Sequence, residues 1–96
     1  MPTREDILNI IRKHFKYLRK EYHVGRVGVF GSFARGDITP TSDVDVLISF
    51  TSPIGWEIVD VKDFLEEKIG RKVDVVCAGG LKPKVKKNIM EDIIFV

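Results

Sequence analysis

The chain has one cysteine, Cys77, so it can form neither an internal disulfide nor a zinc site built from several thiolates. It has no stretch approaching the roughly 20 apolar residues of a membrane-spanning helix. The opening MPTREDIL lacks the apolar core of a secretion signal. Together these features lead to the expectation of a cytoplasmic protein that does not engage a membrane. There is little excess charge: 16 Lys and Arg face 14 Asp and Glu, for a net charge of +2. Charge alone therefore does not point to direct nucleic-acid binding. Glutamine is absent and Asn occurs twice, against many Lys and Glu, a composition of the thermophilic kind. Repeats, low-complexity tracts and linkers are absent too.

What is present suits one small domain, residues 1–96, with 44% hydrophobic residues and six Phe to build a core. So short a chain has a thin stability margin, and association with itself or with a partner is expected to supplement it. The N-terminal segment reads as a helix. Thr3 can cap it, Asp6 can complete a capping box, and Leu8, Ile11, Phe15, Leu18 and Tyr22 make one apolar face. Arg12, Lys13, Lys16, Arg19 and Lys20 cover much of the remainder and read as a solvated face.

Val24–Phe30 reads as a buried strand that ends at Gly31. Gly31–Gly36 reads as a turn that can hold one helical turn. Asp43–Phe50 alternates, with Val44, Val46, Ile48 and Phe50 on one face and Asp43 and Asp45 on the other. Trp56–Ile69 reads as a helix with Ile58, Val61, Leu65 and Ile69 as its stripe and Gly70 as its cap. Lys72–Cys77 is a third strand. Pro83 opens a last helix, with Val85, Ile89 and Ile93 on its apolar face. The apolar tail Ile93–Val96 either adds a strand or buries against a partner. The order implies an α/β (α+β) fold, one sheet flanked by helices.

Three features carry chemistry. Gly31-Ser32 directly follows a strand, where a glycine lets the backbone turn sharply and present N–H groups to a phosphate. Alone, it reads more readily as an ordinary turn. Asp43 and Asp45 share a face about 6.5–7 Å apart. Two such carboxylates repel unless a cation lies between them or one takes a proton, and Mg²⁺ favours oxygen ligands and phosphates. The competing reading is a solvated strand face. Asp74 lies within the apolar run Val73–Val76. It joins the other two if its strand lies beside theirs; otherwise it marks a solvent-facing edge.

The stretch Gly31-Ser32-Phe33-Ala34-Arg35-Gly36, followed by Ser42-Asp43-Val44-Asp45-Val46-Leu47-Ile48, resembles the signature of the polymerase-β-like nucleotidyltransferases. Ten residues separate Ser32 from Asp43. More closely, it resembles the minimal nucleotidyltransferase (MNT) family, antitoxin components of HEPN/MNT toxin–antitoxin pairs. The resemblance extends over nearly the whole chain. It implies a polymerase-β-like fold with a small mixed sheet. It also implies that Gly31 and Ser32 hold the phosphates of ATP, with Arg35 as a further contact, although Arg35 reads as well as a surface cation. Asp43, Asp45 and Asp74 would bind two Mg²⁺ ions and perform catalysis. The implied reaction transfers AMP from ATP to a tyrosine hydroxyl of a HEPN ribonuclease partner and so silences it. The alternatives are an antitoxin that acts by occlusion with vestigial catalysis, and transfer to RNA or a small molecule such as an aminoglycoside.

Other residues read as structural. His14 and His23 lack metal-ligand spacing, Cys77 and Trp56 read as core, and Lys82, Lys84, Lys86 and Lys87 read as a solvated face.

Overall fold

The computed structural model describes residues 2–96. Helix α1 (Arg4–Tyr22) starts at a capping box: the Asp6 N–H donates to the Thr3 hydroxyl at 3.1 Å, and the Thr3 N–H donates to the Asp6 carboxylate at 2.9 Å. It ends where His23 adopts a left-handed conformation and donates its N–H to the Leu18 carbonyl. Strand β1 (Val24–Phe30) runs into α2 (Ser32–Arg35), the single helical turn. Then follow β2 (Val44–Phe50), α3 (Glu57–Ile69), β3 (Val73–Cys77), α4 (Pro83–Asp92) and β4 (Ile94–Phe95). Strands β2 and β3 each begin one residue later than the sequence suggests, leaving Asp43 and Lys72 just ahead of the ladder.

The four strands form one mixed sheet in the order β3-β2-β1-β4. Strand β1 is antiparallel to β2 and to β4, while β2 and β3 are parallel and joined through α3. The tail thus resolves as an edge strand, with Gly28 opposite Phe95 and Val29 opposite Ile94. Alternation gives the sheet two unlike faces. On one, Val27, Val29, Val44, Val46, Ile48 and Val73 are fully buried against Ile7, Leu8, Ile11 and Leu18 of α1 and Val61 and Leu65 of α3. On the other lie Gly28, Leu47, Asp45 and Asp74, as the register pairs Gly28 with Leu47 and Asp45 with Asp74.

Helix α4 approaches this second face closely at one point. A Cβ on Gly28 would lie 2.5 Å from Cδ1 of Ile93, the residue that ends the helix, so a side chain there would push Ile93 aside. Burial of α4 is confined to its C-terminal half: Ile89 is buried, but Val85, expected on the same face, is exposed. Trp56 also departs from expectation. It caps α3 roughly 140° around the helix from the buried Val61 and is 83% exposed. Among the described residues, no helix is long and apolar enough to cross a membrane.

Candidate active site

Strand β1 delivers the chain to Gly31, whose φ of 74° and ψ of −148° lie in a region essentially reserved for glycine. This conformation turns the backbone into α2. No side chain caps that turn, so its leading N–H groups are left for a ligand. Two anchors hold the turn in place. Phe33 is fully buried in the core, and Arg4 of α1 donates to the Ala34 carbonyl at 3.0 Å.

The absence of a side chain at Gly31 has a second use. A Cβ there would occupy the position of the Asp45 carboxylate. The phosphate-type turn and the Asp-x-Asp strand therefore touch at the α-carbon of Gly31. Asp45 pairs across the sheet with Phe30 on one side and with Asp74 on the other. Its carboxyl is pushed above the ordinary aspartate range, first by burial and then by the negative charges of Asp74 and Asp43, with Arg35 opposing. Asp43, Asp74 and Arg35 thus all lie within electrostatic reach of Asp45. The conditional step, that β3 lies beside β2, is met.

Among the described residues, no three His, Cys, Asp or Glu side chains converge into a ready metal cage. Asp43, Asp45 and Asp74 are neighbours without being closed around a point. Their donor set nevertheless suits Mg²⁺. All donors are oxygens, one carboxyl is half-buried and repelled by two others, and this ion completes its shell with water and phosphate rather than with many protein ligands.

Arg35 is exposed and held by two carboxylates. Its Nε donates to Asp37 at 3.1 Å and its Nη1 to Asp92 at 3.0 Å. The second bond spans from α2 to the end of α4. It closes one side of a cleft of about 480 Å³ bounded by Gly31, Ser32, Arg35 and Asp45 and, from α4, by Asn88, Glu91 and Asp92. These three residues escaped the sequence reading. The only trace was the i, i+4 spacing of Asn88 and Asp92, which places them on one side of the helix.

Arg71 also escaped it. Its Nη2 donates to the carbonyls of Thr39 (3.1 Å) and Pro40 (2.6 Å), and its guanidinium lies 5.3 Å from the Phe33 ring. The Ser42 N–H donates to the Thr39 carbonyl at 3.1 Å, and the Thr39 N–H donates to the Ser42 hydroxyl at 2.9 Å. Arg71 therefore clamps a tight turn whose next residue is Asp43.

The other sequence candidates lie elsewhere. His14 packs edge-on against Phe64, and Cys77 is a half-buried thiol pushed upward by burial at the far end of β3. The four lysines of the α4 region are exposed.

Comparison with known proteins identifies a family and several relatives. A nucleotidyltransferase domain family matches residues 11–96. A relative named as a protein adenylyltransferase in Methanocaldococcus jannaschii is 41% identical over 98 residues, covering 100% of both chains. The protein adenylyltransferase MntA of Thermococcus cleftensis is 35% identical, over 100% of this chain and 98% of its own. A solved minimal nucleotidyltransferase superposes with a TM-score of 0.80 at 31% identity, over 97% of this chain and 95% of that one. A chain from the structure of tri-AMPylated Shewanella oneidensis HEPN toxin in complex with MNT antitoxin shares the fold. Its TM-score is 0.67 at 14% identity, over 93% of this chain and 70% of that one.

Proposed function

The chain belongs to the minimal nucleotidyltransferase family and is a nucleotidyltransferase; from that premise we propose that it transfers AMP from ATP to a tyrosine hydroxyl of a HEPN ribonuclease partner and acts as its antitoxin. The observation that carries the reading is the contact of the Asp45 carboxylate with the Gly31 turn, with Asp43 and Asp74 alongside. A phosphate cradle and a carboxylate pair set against each other are what a nucleoside triphosphate needs. Binding without turnover does not need three mutually repelling carboxylates.

Gly31 and Ser32 hold the β- and γ-phosphates, and Arg35 can turn to them from the rim. Asp43, Asp45 and Asp74 would hold Mg²⁺. When bound, this ion lowers the pKa of the acceptor hydroxyl and offsets charge on the leaving pyrophosphate. The acceptor oxygen attacks the α-phosphorus, the bond from that phosphorus to the bridging oxygen breaks, and pyrophosphate departs. Asp74, exposed at the sheet edge, takes the hydroxyl proton and passes it to water. Most of the rate comes from positioning and charge.

The test is the intact mass of a HEPN-domain protein from the same genome after incubation with this protein, ATP and Mg²⁺. We expect gains in AMP steps that vanish with EDTA or in the Asp43→Asn/Asp45→Asn variant. No gain while a stable complex forms would replace this reading with occlusion.

A further inference from the structure

A second cleft, unused by the phosphate-binding residues, opens on the other side of the aspartates. It is about 800 Å³, wide to solvent, and bounded by Pro40, Thr41, Ser42 and Asp43 on the loop side and by Arg71 and Lys72 at the entry to β3. Asp45 lines the cleft that contains Gly31 and Ser32, and Asp43 lines this one. The sheet order explains the split. Strand β2 lies between β1, which ends just before Gly31, and β3, which starts just after Lys72. The carboxylates at the head of β2 thus have one cleft on each flank.

An in-line displacement places the entering and leaving oxygens on opposite sides of the phosphorus. With pyrophosphate on the Gly31–Ser32 flank, the acceptor enters from the β3 flank, past Asp43, which lines the second cleft. The chemistry of the second cleft suits a particular visitor. Lys72 is exposed and forms no ion pair among the described residues. Arg71 spends its Nη2 on the two loop carbonyls, while its Nη1 is buried with no partner. Two cations, the exposed Lys72 ammonium and the Arg71 guanidinium, beside a reactive centre complement an anionic side chain.

We propose that this cleft docks the segment of the acceptor protein that flanks the modified hydroxyl, and that this segment brings an Asp or Glu carboxylate to Lys72 and Arg71. The inference rests on the nucleotidyl-transfer reading above. It adds a recognition rule to it: the enzyme selects its hydroxyl partly by an acidic neighbour.

The test is steady-state AMP transfer to the HEPN partner, with ATP and acceptor varied separately. Lys72→Glu should raise the acceptor KM about tenfold while kcat and the ATP KM stay within about twofold. Thr41→Asp, on the facing wall, should act in the same direction, and Lys72→Arg should behave as the native enzyme. Lys84→Glu makes the same charge change on α4, away from the cleft, and should leave the acceptor KM unchanged. An acceptor KM within twofold of native in both Lys72→Glu and Thr41→Asp would overturn the inference. So would an ATP KM that rises in step with it, or an equal effect from Lys84→Glu. If the native protein adds no AMP to the acceptor, the transfer reading falls and this inference falls with it. Native transfer without charge selectivity removes the inference alone.

Discussion

Replacing Gly31 by Ala adds one methyl group at the most constrained point of the molecule. Two effects follow. The backbone at φ 74° and ψ −148° becomes strained for any residue with a Cβ, at about 1–3 kcal/mol. The new Cβ also enters the space of the Asp45 carboxylate and would lie 3.2 Å from its Cγ. Because the carboxylate is the free end of a side chain, it can swing aside at about 0.5–1.5 kcal/mol of rotamer strain instead of pushing the sheet apart. The combined loss is about 1.5–4.5 kcal/mol, against about 5–14 kcal/mol for a domain of this size. At about 4–8 °C per kcal/mol, the melting point should fall by about 6 °C or more.

Activity should fall further than stability, by about a hundredfold or more, because the displaced group is Asp45 itself. Denaturant titration, thermal melts and AMP transfer read the three quantities. A Gly31→Ala/Asp45→Gly double variant separates the two effects, since without the carboxylate only the backbone strain remains. The double variant should therefore be more stable than the sum of the single losses predicts. A Gly31→Ala protein within about 0.5 kcal/mol of native would refute the account of this turn.

Further outcomes follow from the same geometry. Asp45 holds its proton more tightly in the folded chain than in the unfolded one, so its ionisation costs stability as pH climbs through the raised folded-state value. Asp45→Asn should accordingly melt above the native protein at pH 7 without Mg²⁺, with the gain shrinking toward zero by about pH 3, where both states are protonated. Equal melting points at pH 7 would contradict this. Phe33→Ala should cost about 3–5 kcal/mol by denaturant titration, while Trp56→Ala should stay within about 0.5 kcal/mol, as burial and exposure dictate. Arg71→Met frees the turn before Asp43 and should lower kcat more than it raises the ATP KM. A normal kcat would mean that the clamp does not position the aspartate.

Much of the fold was legible because its determinants are local. The Thr3–Asp6 box, the valine-rich β1 ending at glycine and the Gly70 cap are each decided within a few residues, and the structure reproduces them. The Asp43/Asp45 alternation was legible for the same reason. Its meeting with Asp74 needed the adjacency of β2 and β3, which periodicity does not encode. Asp92 reaches Arg35 across 57 positions, and Arg71 reaches Thr39 and Pro40 across 32 and 31. In the sequence these are one more acidic and one more basic residue. Trp56 misled for the opposite reason: aromatic bulk suggests burial, but its place at the cap of α3 turns it outward.

The Arg35–Asp92 bond bears on how the enzyme would turn over. Asp92 holds the Nη1 of Arg35, so a triphosphate that took that nitrogen would exchange one anion for another rather than capture a bare cation. The cation is oriented before the nucleotide arrives, and part of the nucleotide's binding energy goes into the exchange. On the way out the same arrangement works in reverse. Asp92 is tethered to the rim at a high effective concentration and competes with pyrophosphate for Arg35 from the moment it forms. The enzyme would thus carry its own displacing anion, and product would leave against a rival that never diffuses away.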